Sequence, residues 1–186
     1  MTSPVFLLFG AHGDLATRML WPSLFRLHCD KSLPNQMVVY GLGRSGTTNE
    51  LREQLHQSLA DEVNDSNRVQ FEQFLEKTAF IKLEAGQELD YQALAKYLAE
   101  KSQHVALAYL SMPPDLFAPI VENLHHAELI TSDTRIILEK PIGKDLASSR
   151  AISDAVAEVL DEQQTYRIDH YLGKEAVQNL LALRFG

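Results

Sequence analysis

Apolar residues in this chain fall into two alternating kinds of run. Short continuous runs end at Gly or Pro, and between them lie longer stretches with apolar residues every three to four positions. The first kind reads as strands buried on both faces, the second as amphipathic helices. Val5-Phe6-Leu7-Leu8-Phe9, between Pro4 and Gly10, is the first strand. Helical spacing then covers about residues 14–28, with Leu20, Leu24 and Leu27 on one face. Pro22 lies inside it, so a kink or two short segments are expected, with Trp21 and Phe25 in the core. Residues 37–41 form the second strand. Thr47 and Glu50 have capping-box spacing ahead of a stripe of Leu51, Leu55 and Leu59. A polar loop over residues 61–66 leads to a helix opened by Asn67, with Phe71, Phe74 and Leu75 on one side. Residues 79–83, 105–110, 135–138 and 166–169 read as four further strands. The helices between them carry Tyr91, Leu94, Ala95 and Leu98; then Phe117, Ile120, Val121 and Leu124; then, over residues 145–160, Ile152, Val156 and Val159. A last helix holds Val177, Leu180 and Leu181.

Strand and helix alternate throughout, which predicts an α/β fold. Six parallel strands form a doubly wound, Rossmann-type sheet with helices on both faces and ligands beyond the carboxyl ends of the strands. The 186 residues suit one domain, and 45% hydrophobic with 23% charged residues is ordinary for a globular protein. A net charge of −8 argues against general nucleic-acid binding. Cys29 is the sole cysteine, so no internal disulfide forms. No run has the length of a membrane span or of a signal-peptide apolar region, so a cytoplasmic protein is expected.

The chemistry should sit where each strand ends. The first strand delivers Gly10-Ala11-His12-Gly13-Asp14-Leu15-Ala16. Two glycines permit a tight turn, and a helix opening at Asp14 points free N–H groups into it, which suits a pyrophosphate. The spacing departs from G-x-G-x-x-G/A, and a β-to-α turn holding no ligand would read alike. The second strand delivers Arg44, with no acid from Val38 to Asn49 to grip a ribose 2′-hydroxyl. An arginine suits a 2′-phosphate, so NADP is favoured over NAD; a solvated loop arginine is the other reading. The fourth strand ends in Met112-Pro113-Pro114, which on sequence alone is first a rigid turn and second a cofactor wall. The fifth ends in Glu139-Lys140-Pro141-Ile142-Gly143, where Lys140 can donate to a substrate oxygen or pair with Glu139. Pro141 restricts Lys140 to extended geometry and can itself be cis. The sixth ends in Asp169, His170, Tyr171 and Lys174. Three donors beside a new helix suit a phosphoryl group, and the carboxylate could orient a histidine; a polar helix start is the alternative. No metal site is assigned.

These motifs together resemble the glucose-6-phosphate dehydrogenase family. The loop from Gly10 to Ala16 is similar to that family's GASGDLA coenzyme loop. Met112-Pro113-Pro114 and Glu139-Lys140-Pro141-Ile142-Gly143 are similar to its other cofactor-side motifs. Residues 167–174 match its RIDHYLGK substrate signature without a change, and residues 178–185 continue it. The resemblance spans the chain and corresponds to the family's N-terminal coenzyme domain, with residues 167–186 starting a substrate-phosphate site. It implies that Gly10, Ala11, His12, Gly13, Asp14 and Leu15 surround the coenzyme pyrophosphate. Arg44 would hold the 2′-phosphate of NADP, and Pro113 the cofactor side. Lys140 would touch both sugar and coenzyme. His170, Tyr171 and Lys174 would bind the phosphate of glucose 6-phosphate, and Asp169 would orient the catalytic histidine. Hydride would pass from C1 of the sugar to the nicotinamide, giving a lactone.

Two positions depart from the family. His12 stands where the family loop has serine, and the family's catalytic histidine lies beyond residue 186. His170 is the last histidine of this sequence. The expectation is a partial or truncated chain, close to inactive alone, with the C-terminal catalytic and dimerisation domain absent or supplied as a complementary chain. A catalytically silent NADP-binding module is the alternative. Sugar dehydrogenases related to glucose–fructose oxidoreductase share the Glu-Lys-Pro motif but not the 167–174 signature.

Overall fold

The computed structural model describes residues 2–169. Six strands, β1 (Ser3–Phe9), β2 (Val38–Gly43), β3 (Thr78–Lys82), β4 (Gln103–Leu110), β5 (Arg135–Glu139) and β6 (Thr165–Ile168), form one parallel sheet in the order β3-β2-β1-β4-β5-β6. The chain winds outward from β1 in one direction, then returns and winds the other way from β4. The crevice between β1 and β4 is thus a topological switch point, where open α/β sheets bind ligands.

Alternate side chains of β1 divide the core. Phe6 and Leu8 face α1 (Trp21–Cys29), α2 (Thr48–Ser58) and α3 (Arg68–Glu76), whereas Val5, Leu7 and Phe9 face α4 (Glu88–Glu100), α5 (Phe117–His126) and α6 (Leu146–Ala157). All five are buried. That is why β1 reads as an unbroken apolar run: both of its faces lie under helices. The α5 face of Phe117, Ile120, Val121 and Leu124 is buried as its spacing predicts, and so are Leu51, Leu55 and Leu59.

The first helical stretch differs from expectation. Residues 16–20 form a π-helical turn, in which the Trp21 amide donates to the Ala16 carbonyl, five residues back. Pro22, near the start of α1, has no N–H to give and its ring crowds the carbonyl four residues earlier. The wider turn removes that conflict. It also rotates α1 relative to the turn before it, so Trp21, Leu24 and Phe25 enter the core. Leu27, expected beside Leu24, is 41% exposed, and Leu20 is only partly buried.

At the start of α2 the Thr47 hydroxyl accepts from the Glu50 amide at 3.2 Å and donates to the Glu50 carboxylate at 3.0 Å. The cap is therefore present, but Glu50 closes on the hydroxyl and not on the Thr47 amide. Thr47→Ala should cost about 1 kcal/mol of stability in a urea titration, the usual worth of such a cap. An unchanged midpoint would show that α2 is held by Leu51 and Leu55 alone.

Candidate functional site

Four loops meet beyond the carboxyl ends of β1–β4 around a cavity of ≈ 550 Å³. Residues 9–13 form one wall, residues 42–45 and 83–85 the second, and residues 111–113 with Leu116 the third. The volume lies within the ~300–1,000 Å³ typical of small-molecule sites.

The glycine loop is folded tightly against its neighbours. Gly10 has φ +77°. The amides of Gly10 and Ala11 both donate to the Leu42 carbonyl, at 3.0 and 3.2 Å, and the Gly13 amide donates to the Gly10 carbonyl at 2.8 Å. These three N–H groups hold the loop itself. The donors that a helix leaves unpaired belong to its first turn, at Asp14 and Leu15, where the chain turns helical. Neither side chain lines the cavity. Asp14 turns to Arg18 at 3.6 Å, and Leu15 is partly buried.

Around that loop, His12, Arg44 and Pro113 all line the cavity. Arg44 is exposed and in no ion pair among the described residues. His12 is fixed more firmly. Its Nδ1 bonds the side-chain oxygen of Gln54, and its ring lies 4.8 Å from that of Phe80. Ser45, Leu83, Glu84, Ala85, Ser111 and Leu116 complete the lining and were not singled out from the sequence. A strand-end position was the only signal for Leu83, Glu84 and Ala85. Nothing in the sequence links Gln54 to His12.

Lys140 and Asp169 lie apart from this cavity, at the ends of β5 and β6. Their side chains pair at 3.4 Å, and the Lys140 amide donates to the Ile168 carbonyl at 3.0 Å. The Lys140–Pro141 peptide is cis. Glu139 bonds the Tyr109 hydroxyl, which replaces the Glu139–Lys140 pairing. Burial, and then the adjoining carboxylate, push the Tyr109 phenol well above its ordinary range, so it acts as a donor. His170, Tyr171, Lys174 and the last helix lie outside the described residues.

No helix among the described residues is long and apolar enough to cross a membrane. Residues 7–179 match the family model described as "Glucose-6-phosphate dehydrogenase, NAD binding domain". The chain is 40% identical to a glucose-6-phosphate 1-dehydrogenase of Zymomonas mobilis, over all of this chain and 39% of that one. It is 36% identical to that of Rhizobium meliloti over 97% of this chain and 37% of the relative. A glucose-6-phosphate dehydrogenase solved in complex with its substrate glucose-6-phosphate superposes with a TM-score of 0.84. That alignment has 32% identity and covers 100% of this chain and 40% of that structure. The chain thus spans well under half the length of these relatives. The dinucleotide-type sheet, the cavity at its switch point and these matches agree: the chain belongs to the glucose-6-phosphate dehydrogenase family and represents its coenzyme-binding part.

Proposed function

We propose that the chain binds NADP and, within a whole glucose-6-phosphate dehydrogenase, presents it to glucose 6-phosphate for oxidation at C1. The observation that carries the coenzyme reading is the cavity that joins the glycine loop to the Arg44 loop at the β1–β4 switch point. A dinucleotide phosphate fits these walls. A Cβ on Gly13 would meet only the Gly10 carbonyl, at 3.1 Å, so its outer side is open for close approach of an anion. A helix start at Asp14 and Leu15 offers first-turn N–H groups to such an anion, and Arg44, in no ion pair among the described residues, supplies a cation one loop away. When bound, NADP supplies the hydride acceptor.

The chain's own residues then bind and orient. Gly10, Ala11, Gly13 and Pro113 shape the coenzyme walls, and Arg44 pairs with the 2′-phosphate. Lys140, held by Asp169, reaches toward sugar and coenzyme. His170, Tyr171 and Lys174 take the sugar phosphate, and Asp169 orients a histidine base. The residues 1–186 by themselves bind coenzyme without useful turnover. A C-terminal portion, in cis or as a complementary chain, completes the sugar site. We place the protein in the cytoplasm, in glucose metabolism by the pentose phosphate pathway.

Arg44→Ala tests the coenzyme assignment. Losing charge-assisted bonds typically costs ~1.5–3 kcal/mol each, so NADP should bind about tenfold or more weakly while NAD changes little. Fluorescence titration with both dinucleotides reads the result. Equal loss for both would remove Arg44 from the 2′-phosphate.

A further inference from the structure

We infer that Gln54 is a positioning residue that sets the proton on His12, and so makes discrimination between the two dinucleotides depend on proton uptake. The inference rests on the coenzyme reading above. It begins with a chain of hydrogen bonds running from α2 to the glycine loop. The Thr17 hydroxyl donates to the Gly13 carbonyl at 2.9 Å. Its proton is thereby used, and what it offers Gln54 is a lone pair. Gln54 must therefore turn its amide nitrogen to Thr17, at 2.6 Å, and its oxygen to His12 Nδ1. An amide oxygen only accepts, so Nδ1 carries a proton whether the ring is neutral or charged.

The other ring nitrogen lies beside the loop that follows β2. A Cβ built on Gly46, where φ is +131°, would lie 2.6 Å from His12 Nε2. Nε2 thus borders the loop that carries Arg44 and Ser45, and His12 and those two residues line one cavity. In a neutral ring with hydrogen on Nδ1, Nε2 presents a lone pair. A lone pair accepts from the 2′-hydroxyl of NAD and opposes the oxygens of a 2′-phosphate. Only the imidazolium donates from Nε2 to phosphate. NADP binding therefore draws a proton onto His12, and NAD binding does not. The charged and titratable groups on the elements around His12 are Asp14 and Arg18, paired with each other, Arg44, Lys82 and Glu84, and on α2 Glu50, Arg52, Glu53 and His56.

The experiment uses the 186-residue chain, labelled with ¹⁵N, and titrations with NADP and NAD. Ring ¹⁵N–¹H correlations of the free protein should place the neutral-state proton of His12 on Nδ1. From about pH 7 to about pH 8.5 a 2′-phosphate already carries its second charge. Over that range the NADP-to-NAD affinity ratio should fall by up to about tenfold per unit, the limit for one proton. His12→Ser should abolish the fall. Gln54→Leu frees the neutral ring to carry its hydrogen on Nε2, so the fall should flatten while NADP stays bound at high pH. Gln54→Glu keeps an acceptor at Nδ1 but adds a charge that favours the imidazolium, so the fall should move to higher pH. A neutral-state proton on Nε2 in the free protein would overturn the inference. So would an equal slope in wild type and His12→Ser, or a wild-type slope in Gln54→Leu, with coenzyme binding intact. Failure to bind either dinucleotide would overturn the coenzyme reading and this inference with it.

Discussion

Gly10→Ala should both unfold this protein more readily and abolish its grip on a dinucleotide. At φ +77° an L side chain is strained whatever the surrounding space. The space is also closed: a Cβ there would lie 2.2 Å from the Ser111 carbonyl oxygen and 3.0 Å from Met112 Sδ. The methionine can swing aside, but the carbonyl is backbone at the end of β4, next to a Ser111 amide bonded to the Phe9 carbonyl at 3.2 Å. Accommodation would have to part β1 from β4 at the switch point. Strain and overpacking together put the cost at about 2–6 kcal/mol. The same movement carries the Gly10 and Ala11 amides away from the Leu42 carbonyl and breaks the cavity wall. Binding should fall about a hundredfold or more, since each ~1.4 kcal/mol of lost contact is tenfold. Gly86→Ala is the control, because nothing lies within 4 Å of its added carbon. It should stay within about 0.5 kcal/mol of wild type. Urea denaturation and NADP titration of both variants read the outcome. Wild-type behaviour of Gly10→Ala would mean that the loop is looser than its hydrogen bonds indicate.

The sheet was legible because parallel strands under two helix layers must be apolar on both faces, and each such run stops where the backbone leaves the core. Ends were less legible. β2 runs to Gly43, beyond the expected residue 41, since nothing in Leu42-Gly43 marks the last paired position. The phase of the first helix was misjudged for a physical reason: a 3.6-residue pattern assumes uniform turns, and the π-turn at residues 16–20 inserts one extra position. Leu27 left the core on that account, while Trp21 and Phe25 are buried as expected.

The site was legible as strand ends, and Gly10, His12, Gly13, Arg44 and Pro113 do share one cavity. What the sequence could not show is which donors are already engaged. Gly10, Ala11 and Gly13 spend their amides on the fold. Nor could it show pairings across the fold, such as Lys140 with Asp169 or His12 with Gln54, because side-chain partners separated by tens of residues leave no local pattern.

Trp21→Ala should be the most destabilising single change in the α1–α3 layer. The indole is 0% exposed and meets Phe74 edge-on, with ring centres 6.4 Å apart. Removing a buried Trp side chain costs about 3–5 kcal/mol, from lost transfer energy and the cavity left behind. Trp21 does more than fill space, because its Nε1 donates to the Ala11 carbonyl at 2.9 Å. Ala11 is buried, so no water replaces that donor. Trp21→Phe therefore separates the two roles. It retains most of the packing but leaves the Ala11 carbonyl unsatisfied, which costs about 1–3 kcal/mol. The lost bond lies in the glycine loop, so Trp21→Phe should also weaken NADP, and by more than a core substitution of similar cost remote from the loop, such as Phe71→Leu. Trp21 is the only tryptophan of the chain, so unfolding of these variants is followed by circular dichroism in place of its fluorescence. If Trp21→Phe and Phe71→Leu weaken NADP equally, the indole serves the core alone. If Trp21→Phe selectively loosens NADP, the same residue closes the hydrophobic layer and sets the height of the coenzyme loop above it.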